Sequence, residues 1–115
     1  GFAAQCFNDA AALTCISNDV SFAHVFQRQL QFHAKKGDVL FAISSSGMSE
    51  NIVRAAKWAV AEALFAVTLS GFSKDNLLRD VGHINFYVPS NAYGTVEISH
   101  LSICHAVLDK VIHAN

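Results

Sequence analysis

Between two apolar stretches of this 115-residue chain lies Ser44-Ser45-Ser46-Gly47-Met48-Ser49, followed by Glu50 and Asn51. The hydroxyls of Ser44, Ser46 and Ser49 are donors suited to phosphate oxygens, and Gly47 lets the backbone come close to a ligand. No lysine or arginine sits in the loop. It therefore lacks the Gly-Lys-Ser/Thr of a nucleoside-triphosphate P-loop and suits a single phosphate held by neutral donors. A capping reading stands beside this one: Ser49 as N-cap, with Glu50 next to it, would stabilise a helix by roughly 1 kcal/mol with no ligand present. A second constellation is "TVEISHLSICH", which carries Glu97, His100 and His105. On a helix Glu97, Leu101 and His105 follow one i, i+4 ridge, with the outer two Cα atoms about 12 Å apart. Carboxylate and imidazole can move protons near neutral pH. Equally, His100 and His105 can hydrogen-bond backbone at a subunit interface. Asp19, in "SND", is either a ligand contact or the cap of a helix starting near Phe22.

These groups need elements to hold them. Ala3–Phe7 is a short apolar run ended by Asn8-Asp9, which reads as a buried strand feeding a turn. Ala10–Ile16 reads as a short helix broken at Ser17–Asp19. "FAHVFQRQLQFHA" then spaces Phe22, Val25, Phe26, Leu30 and His33 for a helix, closed by Lys35-Lys36-Gly37 in keeping with the helix dipole. Val39–Ile43 is apolar throughout, the pattern of a strand covered on both faces. The serine loop follows it directly. Glu50–Ala63 is a helix with Ile52, Val53, Ala56, Ala59, Val60 and Ala63 inward. Leu64–Leu69 is a strand, Asp75–Asp80 a short polar helix, His83–Val88 a last strand stopped by Pro89. Thr95–His113 is a long helix, apolar nearly all round. Apolar strands alternating with helices predict one α/β domain, a mostly parallel sheet between helix layers, three-layer α/β/α and doubly wound. Ligands bind such sheets beyond the carboxyl ends of the strands. The serine loop lies there at a helix N-terminus, whose free N–H groups and dipole favour phosphate. Thr68, Ser70 and Gly71 end a strand on the same rim and are candidates for the pocket wall.

The composition narrows the function. Hydrophobic residues make up 52% and charged ones 15% of the chain, so it is not a disordered chain and much of its surface is expected to be buried, including against other subunits. A net charge of −1 with no basic run argues against binding nucleic acid by charge. No apolar run reaches the roughly 20 residues of a membrane helix, and no basic-then-apolar leader opens the sequence. Cys6, Cys15 and Cys104 are odd in number with no CxxC pair, which reads as free thiols in a reducing compartment, the cytoplasm. His24, His33, His83 and His113 have no partner at metal spacing and read as surface or packing residues. The apolar opening, without a polar lead-in or methionine, suggests an upstream segment.

Ser-x-Ser-Gly-x-Ser-x-Asn after an apolar strand resembles the phosphosugar-binding signature of sugar isomerase (SIS) domains. "ALTCISNDVSFAHVFQRQL", "KKGDVLFAISSSGMSENIVRAAKWA", "VTLSG" and "YGTVEISHLSICHAVLD" stand in the order found in phosphoheptose isomerases. The likeness covers nearly the whole chain. It implies an aldose–ketose isomerase acting on sedoheptulose 7-phosphate for bacterial surface sugars, active as a cytoplasmic homotetramer. It further implies Ser44, Ser45, Ser46, Gly47, Ser49 and Asn51 as the phosphosugar cradle. The family's catalytic histidine maps to His105, and a site glutamine that also helps to hold zinc maps to Glu97. The carboxylate is a departure that would strengthen a metal site made with His105 or supply a base. Asn18-Asp19 matches an "ND" loop whose aspartate lies near the substrate, and His100 reads as structural. Residues 1–115 form a single SIS domain in this reading. It lacks the family's N-terminal helix–strand–helix portion, with its Gly-Asn-Gly-Gly-Ser loop and catalytic glutamate, and an aspartate before the last helix is replaced by Gly94. The competing expectation is a non-catalytic sugar-phosphate sensor or interaction module.

Overall fold

The structure, a computed structural model, describes residues 2–114. Three parallel strands form its sheet in the order β1 (Val39–Ile43), β2 (Phe65–Gly71), β3 (Ile84–Val88). Val39 pairs with Phe65 and Ile43 with Leu69, while Val67 pairs with Ile84 and Gly71 with Val88. Helices α1 (Ala10–Asp19), α2 (Val25–His33), α3 (Glu50–Ala61) and α4 (Tyr93–His113) complete the domain, with single 3-10 turns at Phe22–His24 and Leu77–Asp80. The α/β class and the strand order along the chain follow the sequence pattern.

Alternation along β1 decides which side is filled. Leu40 and Ala42 point to α3, where Ala42 packs with Val53, Ala56 and Leu78. Val39, Phe41 and Ile43 point the other way, and they remain 56%, 39% and 42% exposed. The expectation of a strand covered on both faces is thus corrected: α3 covers one face only. On the opposite face α4 packs on the sheet mainly near the end of β2. Its fully buried Val96 sits there, and its His100 bonds to the Ser70 carbonyl. Ile98, Leu101 and Ile112 of α4 stay exposed.

Three local expectations also change. Ala3–Phe7 forms no strand; the Phe7 carbonyl accepts from Gln29 Nε2 and its ring stacks on His33, so side chains of α2 hold it rather than a ladder. Helix α1 does not break at Ser17. Asp9 caps its start, accepting from the Ala12 N–H at 2.9 Å, and its hydrogen bonds run through "SND" to Val20. Asp19 therefore ends α1 instead of capping the next helix, whose N-cap is Ser21. Ala63 does not extend the inward face of α3. It is exposed with φ +61°, and the Leu64 N–H reaches back to the Ala59 carbonyl, a Schellman-type stop.

Candidate functional site: the serine loop and the α4 cleft

The loop leaves β1 in register, since the Ser44 N–H still donates to the Leu69 carbonyl at 3.1 Å. Ser44 then turns inward, 6% exposed. Its hydroxyl donates to Ser49 Oγ at 3.1 Å and accepts from the Gly47 N–H at 3.1 Å, while Ser46 Oγ accepts from the Met48 N–H. Gly47 sits at φ +67°, and a Cβ there would collide with the carboxamide of Asn76. Only glycine fits both the dihedral and the space.

At the entry of α3 the capping reading meets a test. Ser49 holds the N-cap position, yet its side chain makes no capping hydrogen bond, being engaged by Ser44. The Ile52 N–H is taken by the Ser49 carbonyl and by Asn51 Oδ1. Ser49 thus leaves the amides of Glu50 and Asn51 uncapped by its hydroxyl, at the positive end of the helix dipole. Glu50 itself is drawn back along the helix to Arg54 at 2.8 Å. A second cleft of about 410 Å³ opens here, lined by Phe22, Ala23, Ser49, Glu50 and Asn51.

Across the rim, a cleft of about 350 Å³ is lined by Ile43, Ser45, Glu97, His100, Leu101 and Cys104. Ser45 Oγ donates to Glu97 Oε1 at 3.2 Å, so the loop and α4 meet through predicted site residues. His100 is 3% exposed; its Nε2 donates to the Ser70 carbonyl at 3.1 Å, and its buried Nδ1 has no partner among the described residues. That backbone bond is the structural role expected of it, made within the chain. His105 is exposed and lines neither cleft. Asp19 is exposed too, held by Asn18 Nδ2 at 2.9 Å and outside both linings. Ser70 and Thr68 are fully buried behind the rim, where Asn85 bonds both hydroxyls. No group of three or more His, Cys, Asp or Glu capable of holding a metal occurs among the described residues, so Glu97 and His105 alone fall short of the three or four protein ligands of a zinc site.

Sequence reasoning missed Asn76. It is fully buried and packs under Gly47. The available signal was an asparagine directly before a short Leu-Leu-Arg-Asp helix, an N-cap pattern.

A phosphoheptose isomerase of Helicobacter hepaticus is 40% identical over 103 residues, which is 90% of this chain and 52% of that protein. Over nine-tenths of its length the chain is similar to phosphoheptose isomerases. A phosphoheptose isomerase of Shewanella sp. (strain ANA-3) is 32% identical over 105 residues. Among solved structures, phosphoheptose isomerase GmhA from Neisseria gonorrhoeae superposes with a TM-score of 0.81 at 33% identity, over 89% of this chain and 57% of that one. The phosphoheptose isomerase from Francisella tularensis gives 0.82 at 28% identity, over 89% and 55%. No protein-family model matches. The chain spans about half the length of the curated relatives it matches, 52% and 53% for the two named.

Proposed function

We propose that the polypeptide carrying this chain is an aldose–ketose isomerase for sedoheptulose 7-phosphate, and that this chain supplies its phosphate cradle. One observation carries the reading: the serine loop bonds to itself through Ser44 and spends the Ser49 hydroxyl there, leaving the first amides of α3 for an anion. Ser45, Ser46 and Asn51 complete the cradle, and Asp19 approaches the sugar from the α1 side. The curated relatives are named for the same activity.

Isomerisation needs a base to take the proton from the carbon beside the carbonyl and an acid to protonate the carbonyl oxygen. The resulting enediol collapses when the former carbonyl carbon receives the proton held by the base and the hydroxyl on the adjacent carbon gives its proton up, becoming the new carbonyl. Glu97, at the cleft beside Ser45, suits the base; His105 suits the acid. His105 is exposed on the same helix and lines neither cleft of this chain, so in this reading it meets substrate at a site completed by another surface over α4. Exposed Ile98, Leu101 and Ile112 on the same helix favour such a surface, and a homo-oligomer, a tetramer in the family resemblance, would supply it. Free Cys6, Cys15 and Cys104 favour a cytoplasmic setting, and no helix among the described residues is long and apolar enough to cross a membrane. Heptose synthesis for surface polysaccharide is the process this substrate serves.

Turnover of sedoheptulose 7-phosphate by the full-length polypeptide tests the reading. His105→Ala is expected to lower kcat about 10²–10⁴-fold with the fold intact; unchanged turnover removes His105 from the reaction. A second reading, a sugar-phosphate-binding module without catalysis, is favoured by the exposure of His105 outside both clefts. It predicts saturable binding that survives His105→Ala, with no turnover in the wild type. Metal analysis adds a separate check, since about one zinc per subunit would require ligands beyond Glu97 and His105.

A further inference from the structure

We infer that Asn76 is the positioning residue of the serine loop, its carboxamide setting where Gly47 lies and hence where the loop amides meet an anion. The inference rests on the phosphate reading above and names the part of the fold that makes the cradle rigid.

Asn76 is 0% exposed although it lies in the polar stretch "SKDN". Its Nδ2 donates to the Ser73 carbonyl at 2.8 Å, the Gly71 carbonyl at 3.1 Å and Ser70 Oγ at 3.2 Å. Its Oδ1 accepts from the Arg79 N–H at 3.1 Å. The two carbonyls facing Nδ2 can only accept, so the amide has one orientation: turned over, it would set oxygen against oxygen. A side chain held at both ends is a fixed strut. The strut lies where a Cβ of residue 47 would be. Two residues further on, the Leu78 N–H donates to the Gly47 carbonyl at 3.0 Å, so the same turn grips the glycine from its other polar group. Gly47 is therefore located by packing against Asn76 and by a hydrogen bond from Leu78. The left-handed φ of Gly47 directs the following peptides toward the α3 entry.

A capping role alone would need only an acceptor for the Arg79 N–H. Serine is as good an N-cap but is too short to reach Ser70 and Gly71 or to fill the space under Gly47. Asn76→Ser thus keeps the cap and removes the strut. The experiment titrates inorganic phosphate into wild type and Asn76→Ser, following the backbone amides of residues 44–51 by NMR and thermal stability in parallel. The expected result is phosphate affinity at least tenfold weaker in a folded variant, with the Gly47 amide resonance displaced before any phosphate is added. A folded variant that binds as tightly as wild type overturns the positioning role and leaves the phosphate reading intact. A wild type that does not bind phosphate overturns both. Should Asn76→Ser fail to fold, the Asn76 side-chain amide signals of the wild type decide: they are expected to shift on phosphate saturation, and fixed signals overturn the role.

Discussion

The two faces of the sheet are built to different standards. On the α3 face, Ala42, Val53, Ala56 and Leu78 are all buried, and the small residues let helix and strand approach closely. On the α4 face, Val39, Phe41, Ile43, Phe65 and Ile84 are each at least 39% exposed, and α4 touches the sheet mainly through Val96 and His100. The closed face holds the serine loop, whose bonds are all made within the chain. The open face holds Glu97 and His105. The serine loop is thus packed by this chain alone, whereas the side that carries Glu97 is left largely uncovered by it.

That contrast can be broken at several points. The largest effect is expected from Leu78→Ala, which removes a fully buried side chain of the closed face and should cost about 2–5 kcal/mol in denaturant unfolding. Gly47→Ala comes next. It forces a side chain into φ +67° and against Asn76, with an expected loss of about 1–3 kcal/mol and of phosphate binding in the same titration. On the open face, Leu101→Gln is expected to change the stability of the isolated chain by less than about 0.5 kcal/mol, because Leu101 is already 59% exposed. A clear fall in oligomer size by light scattering would sharpen the comparison; a loss of several kcal/mol in the monomer would break it. Ala63→Gly relieves the left-handed backbone at φ +61° at the cost of a freer unfolded chain, and should stabilise by about 1 kcal/mol, read as a rise in Tm.

The same contrast marks how far the sequence could be read. Strand and helix periodicities placed β1, α3, β2, β3 and α4 within a few residues, because each run is long and its pattern consistent. The uniformly apolar Val39–Ile43 suggested cover on both sides, but a pattern records what a strand is suited to meet, not what this chain provides. Ala3–Phe7 looked like a strand because short apolar runs carry no period of their own. The serine loop was legible since its chemistry is local. Asn76 was not, because "SKDN" reads as an ordinary turn until tertiary structure folds it under Gly47. His105 and Glu97 share a helical ridge, yet only Glu97 reaches the cleft; eight residues along a helix is a long separation for two side chains to share.

Gly71 joins the two faces. A methyl group there would lie 2.7 Å from Val96 Cγ1 and 2.9 Å from the Ser45 carbonyl oxygen. A single hydrogen atom is the whole spacer between the first turn of α4 and the serine backbone. The seam leaves no room for a side chain, so the outer helix at Val96 and the serine backbone at Ser45 are packed across a single residue.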